Sequence, residues 1–150
     1  GEALAEKCLE IWAYFGKQNI QEQVSTDTER AYTFETMRNG DFLTGEVLEL
    51  FEDLQDRVLS LAGVEEDVLK NCITYRAKGR AFLSVVPQRS GLKLYLNLPL
   101  QEVRQYAFCR DVSKVGHWGT GDVEVKLKDF SDIDRTMPLI EQAYQYQVVA

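Results

Sequence analysis

The sequence predicts an α+β domain: a small antiparallel sheet of about four strands with helices packed on one face. Three observations lead there. Residues 44–63 follow a helical period, the period changes to two from Val68 onward, and an amphipathic segment returns near the carboxy terminus. The period-two pieces are short and joined by turn residues, as in hairpin-linked antiparallel sheets that bury one face only.

Each element has its own warrant. In "GEALAEKCLEIWAYFGKQ", Leu4, Cys8, Ile11, Trp12 and Phe15 form a helical stripe closed by Gly16, so a helix is expected from about Glu2 to Gly16. The polar stretch after it, with the turn signal Asn39-Gly40, reads as a connection holding a short hairpin. In "TGEVLELFEDLQDRVLSLAG", Val47, Leu48, Leu50, Phe51, Leu54, Val58, Leu59 and Leu61 follow the helical period. Thr44 stands at the cap position and Gly63 at the stop, while Glu46, Glu49, Glu52, Asp53 and Asp56 form a solvated face. "NCITYRAKG", "RAFLSVVPQ" and "GLKLYLNLPL" are three strands with turns at Gly79 and Ser90-Gly91. "LQEVRQYAF" reads as a short helical turn and "DVEVKLK" as a fourth strand. "SDIDRTMPLIEQAYQYQ" is a closing helix capped by Ser131, with a kink or restart expected at Pro138. The resulting organisation is residues 1–18 as a helix, which the resemblance given below implies to be the terminal helix of a preceding domain, 19–43 as the connection, and 44–150 as the α+β domain.

Charge narrows the function classes. The chain of 150 residues has a net charge of −7, which disfavours nucleic acid on the total. The total conceals an uneven distribution. Residues 1–67 hold 5 basic and 16 acidic side chains, whereas residues 68–101 hold 6 basic and none acidic. No apolar run reaches the roughly 20 residues of a membrane span. No charged-then-apolar leader opens the chain, so a cytoplasmic location without a membrane partner is expected. Cys8, Cys72 and Cys109 are too widely spaced for a zinc or disulfide framework and are expected to be free thiols.

If the leucines of "GLKLYLNL" face the helices, Lys93, Tyr95 and Asn97 face away. Arg76, Lys78, Arg80 and Lys126 are expected on the same basic sheet face, which suits phosphates and stacked bases. The stretch "CRDVSKVGHWGTGDVEVKL" carries the single histidine. Its glycines favour a tight turn, and His117 and Trp118 are candidates for a ligand loop. Catalysis by Cys109 with His117, or a zinc site built on them, lacks the further partners either chemistry requires. No catalytic residue, metal ligand or cofactor is therefore assigned.

The motifs "VVPQ", "LYLNLP", "RDVS", "GHWGTGDVEV" and the final "QAY" resemble a family of bacterial and archaeal domains, domain of unknown function 5655, often labelled a predicted transport protein. The resemblance implies an α+β fold and no particular chemistry. "LAEKCLEIW" is similar to the last helix of the HNH domain in Gmr-type restriction proteins, which join a ParB-like domain to an HNH nuclease. That implies an accessory, non-catalytic module at the carboxy-terminal end of a defence protein, with nuclease domains of the same chain as partners. Three functional readings stay open. The first is contact with DNA, plain or modified, through the basic face. The second is protein interaction or homo-oligomerisation through an apolar patch of Tyr144, Tyr146, Val148 and Val149. The third is a nucleotide-like small ligand held between sheet and loop by Tyr95, His117 and Trp118.

Overall fold

The computed structural model describes residues 32–117 and 119–149. The expected amino-terminal helix and Trp118 lie outside the described residues. Six strands form one antiparallel sheet: β1 (Val64–Val68), β2 (Ile73–Ala77), β3 (Arg80–Gln88), β4 (Gly91–Leu96), β5 (Cys109–Asp111) and β6 (Val123–Leu127). Their spatial order is β1-β2-β3-β4-β6-β5. The α+β class is as the sequence predicts, with two more strands than expected.

The two unexpected strands are hidden for different reasons. β1, "VEEDV", pairs Glu66 opposite Tyr75 on the helix-covered face. A carboxylate in an inward position erases the apolar alternation that marks a strand. It is tolerated because Tyr75 Oη and Gln55 Nε2 each donate to Glu66 Oε2 at 2.8 Å. β5 is a three-residue edge strand, too short to show a period.

Helix α1 (Gly45–Leu59) presents Val47, Leu50, Phe51, Leu54 and Val58 to the sheet. Helix α2 (Phe130–Val149) adds Ile133, Met137, Ile140 and Ala143, among others. Both pack on one face, against Ile73, Tyr75, Leu83, Val85, Leu94, Leu96, Val123, Val125 and Leu127, forming the main core. The leucines of β4 therefore point as the sequence implies. Between Tyr75 and Arg76 the register slips by one residue. The slip lets neighbouring Phe82 and Leu83 both join the core, and Phe82 meets the ring of Tyr144 edge-on at 5.6 Å.

Local chemistry refines four smaller expectations. Asn39-Gly40 joins no strands: Asn39, at φ 63°, leads into a 3-10 turn, Gly40–Phe42. Thr44 occupies the N-cap of α1 in extended conformation, as expected, but its side chain makes no cap bond. Helix α2 begins before Ser131. Asp132 N donates to Asp129 Oδ1 at 3.0 Å and Asp129 N returns to Asp132 Oδ2 at 3.3 Å, a reciprocal capping arrangement. The helix also continues as one element through Pro138, without a restart there. Tyr32–Ala150 form one compact unit, which includes residues ahead of position 44.

Leu54 is completely buried at the centre of α1's inward stripe. Leu54→Ala is expected to lower stability in urea unfolding by about 2–5 kcal/mol, and a loss well below ~1 kcal/mol would contradict this packing. Burial, and then the Glu66 carboxylate beside it, hold the Tyr75 phenol far above its ordinary range. The folded-state value thus exceeds the unfolded one, near 10. The associated stability is complete below about pH 10 and is lost as pH rises beyond it. Tyr75→Phe should flatten the alkaline fall of stability, measured by urea unfolding between about pH 9 and 11.

Candidate functional site

The face of the sheet away from the helices is not simply solvated. Cross-strand register aligns Asp67, Thr74, Ser84, Tyr95, Glu124 and Arg110 in one row across all six strands. Thr74, Ser84, Tyr95 and Glu124 in this row are buried, and Cys72, Val86, Tyr95 and Val112 form a second, small apolar cluster. What covers them is the loop between β5 and β6. Val112 N donates to Asp122 O at 2.9 Å at the loop's base, and Thr120 N donates to Ser84 Oγ at 3.2 Å.

Tyr95 is the centre of this arrangement. Its hydroxyl donates to Glu124 Oε2 at 3.0 Å, and Arg110 Nη1 donates to Glu124 Oε1 at 3.3 Å. Glu124 is only 3% exposed, so an unpaired charge there would cost several kcal/mol. Each carboxylate oxygen has a donor, and hydrogen bonds to charged groups contribute about 1.5–3 kcal/mol. Burial first, and the Glu124 hydrogen bond second, raise the Tyr95 phenol above its ordinary range, so it stays a donor at neutral pH. The ring is thereby fixed in place.

The loop closes on that fixed ring. His117 stacks on Tyr95 with centroids 4.3 Å apart and planes within 8°. The imidazole is held by Gly119 N, which donates to His117 Nδ1 at 3.2 Å. This places the proton of a neutral ring on Nε2. A Cβ at Gly119 would run into the Tyr95 ring, and one at Gly121, where φ is +73°, would strike the Leu96 carbonyl. The glycines of "GHWGTGD" are what let the loop lie this close.

A hollow of about 640 Å³ opens beside the stacked pair. Tyr95, His117 and Gly116 form one wall, and Val86 and Gln88 the floor along β3. Lys93 comes from β4, and Arg38 and Asn39 from the turn before α1. That turn is anchored by Arg38 N donating to Lys70 O at 2.7 Å and Asn39 Nδ2 to Pro87 O at 3.2 Å. The lining contains two cations and no acid. Its size is within the 300–1,000 Å³ range usual for small-molecule sites. Another depression, of about 440 Å³, lies at Phe34, Leu43 and Phe51. It carries Glu35, Asp41 and Glu52, and the chemistry gathered there is weaker.

The basic residues expected to share this face separate. Lys93 lines the hollow, and Lys126 stands directly across from it on β6. Arg76 is on the face, but its Nε donates to Asp67 Oδ2 at 2.8 Å, which neutralises it. Lys78, at φ 53° in the β2–β3 turn, donates instead to Val148 O at 2.9 Å near the end of α2. Arg80 is exposed at the start of β3, opposite Ala77, and Asn97, beyond the end of β4, donates to Ala81 O at 3.3 Å. Arg38, Asn39 and Gln88 were not foreseen, because register and tertiary folding bring them in from distant positions.

Other chemistry is separated too. Cys109 pairs with Val125 on the helix-covered face, opposite His117, and burial pushes its thiol up to about 11. Among the described residues, no group of three His, Cys, Asp or Glu is placed to hold a metal ion. No described helix is long and apolar enough to cross a membrane. The expected carboxy-terminal apolar patch divides: Tyr144 is buried, donating to Ala62 O at 2.6 Å, while Tyr146 and Val149 stay exposed.

Comparison with known proteins gives a family but no activity. A protein of Haemophilus influenzae, described only as uncharacterized, is 32% identical over 99 residues, covering 65% of this chain. The matched region is 32% of that relative, so the chain spans about a third of its length. A family model described as a domain of unknown function (DUF5655) matches residues 39–147, from the Asn39 turn through most of α2. With that match running across every strand and both helices, the chain belongs to the DUF5655 family.

Proposed function

We propose that this domain is a binding module for a nucleotide unit, a planar ring carrying phosphate. The ring would lie against the Tyr95–His117 stack, with its phosphate toward Lys93 and Arg38. The observation that carries this reading is the hollow itself, which joins a rigid aromatic wall, two cations and the amides of Asn39 and Gln88 with no acid in its lining. Base–aromatic stacking contributes about 1–3 kcal/mol per base and tolerates any base, while cations supply the salt-sensitive part of the affinity.

The unit is either a free nucleotide or one nucleotide of a single strand; the hollow recognises the chemistry that the two share. A broad basic sheet surface for duplex DNA has less support, since Arg76 is neutralised and Lys78 and Arg80 lie away from the hollow. The role is binding rather than catalysis: the thiol of Cys109 and the imidazole of His117 occupy opposite faces, and the Tyr95 hydroxyl is committed to Glu124. We further infer an accessory place in a longer cytoplasmic protein. The amino-terminal resemblance to an HNH helix suggests a defence setting, with nuclease domains of the same chain as partners.

Calorimetry at low salt tests the reading with four nucleoside monophosphates, ribose 5-phosphate, and single-stranded and duplex oligonucleotides. The monophosphates should bind about tenfold or more tighter than ribose 5-phosphate, which lacks the ring. Lys93→Gln should weaken both, and His117→Ala should remove most of the ring's advantage. Equal binding of ribose 5-phosphate, or no monophosphate binding at low salt, would sink the proposal. An oligonucleotide that binds far tighter than any monophosphate identifies the strand as the source.

Glu124→Gln removes charge from the carboxylate that orients Tyr95 while keeping its shape. It should weaken nucleotide binding several-fold without changing that of ribose 5-phosphate, in a protein that still unfolds cooperatively. An unchanged nucleotide affinity would show that the Tyr95 platform does not need its buried partner.

A further inference from the structure

Next to the hollow, Lys93 and Lys126 sit directly opposite each other on β4 and β6. Like charges in this position repel, because their Cβ atoms lie only ~4.5–5.5 Å apart. Two arginines further along this face each have a carboxylate: Arg76 has Asp67, and Arg110 has Glu124. Neither lysine makes an ion pair with a described residue.

The lysine pair borders a second depression of about 250 Å³, lined also by Lys128, Ser90 and Gln88. Gln88 and Lys93 belong to both depressions, so the two adjoin each other. The nearest acids in sequence are engaged elsewhere. Asp129 caps the start of α2, and Asp132 accepts from the backbone of Lys128 and from Arg135. An acid enters the lining only past Lys128, where Glu46 borders the next depression. The surface is thus a short, acid-free channel of three lysines leading away from the aromatic wall.

We propose that the ligand carries consecutive phosphates: the unit in the hollow presents its first phosphate to Lys93, and the next lies between Lys126 and Lys128. This rests on the nucleotide reading above and adds its substrate class, a nucleotide bearing a second phosphate. That phosphate belongs either to a condensed diphosphate or to the next linkage of a strand, and both offer successive anionic groups to the same lysines.

The test compares adenosine monophosphate, adenosine diphosphate and a 5′-phosphorylated adenine dinucleotide by calorimetry at low salt. The proteins are the full chain and its Lys126→Gln, Lys128→Gln double variant. Both lysines are exposed, and thermal unfolding checks that the variant is folded. The diphosphate or the dinucleotide should bind the unaltered chain about tenfold tighter than the monophosphate. The double variant should lose that gain while monophosphate affinity stays within about twofold. A gain for the diphosphate alone identifies condensed phosphate, and one for the dinucleotide alone identifies a strand.

Equal affinities in the unaltered chain, or a gain that survives in the double variant, would overturn the channel and leave the nucleotide reading intact. If no nucleotide binds, the nucleotide reading falls. Inorganic pyrophosphate against orthophosphate then decides the channel. Pyrophosphate binding lost in the double variant retains it, and no such binding overturns it.

Discussion

The buried carboxylate of Glu124 is the constraint around which the polar side of this domain is organised. A charge in the middle of a sheet must be matched or it opposes folding. Here the match comes from an exposed arginine on the edge strand and a buried phenol on the opposite neighbour. Tyr95 is held by that pairing, and everything above it follows. A ring that cannot rotate away gives His117 a surface to stack on, and the loop can then approach closely enough to require glycine at position 119. The hollow lies between this loop and the Arg38–Asn39 turn.

The same pairing decides where positive charge remains available. The chain is acidic in total, and several of its cations meet a partner within the fold. Arg57 bridges Asp53 and Asp134, and Arg135 binds Asp132 while lying over Phe108. The cations around the hollow and its neighbouring depression, Arg38, Lys93, Lys126 and Lys128, make no ion pair with a described residue. Net charge is therefore a poor guide to what such a protein attracts; the local arrangement is what a ligand meets.

Much of the helix-covered core was legible because its signals are local. The stripe Val47-Leu50-Phe51-Leu54-Val58 and the alternation Leu92-Leu94-Leu96 each state a period within one segment. The site was legible only in part. Tyr95, Lys93 and His117 carry their chemistry openly, and alternation correctly turned Tyr95 and Lys93 away from the leucines. Arg38, Asn39 and Gln88 have no signal in their own neighbourhoods, since register and a turn some fifty residues upstream along the chain bring them in. Arg76 was legible as a cation but not as a neutralised one, because Asp67 sits on a strand whose inward Glu66 disguised it. Pairing across strands is non-local information, and a period along one strand does not contain it.

The most direct measurement is an amide-shift map by NMR of the full chain, titrated with adenosine monophosphate at low salt. Binding in the hollow predicts shifts confined to the amides of residues 38–39, 86, 88–95, 116–117 and 119–120, with Gly119 and Tyr95 among the largest. Shifts centred instead on the acidic depression at Phe34, Leu43 and Phe51, or spread without focus over the basic side chains, would contradict a built nucleotide site.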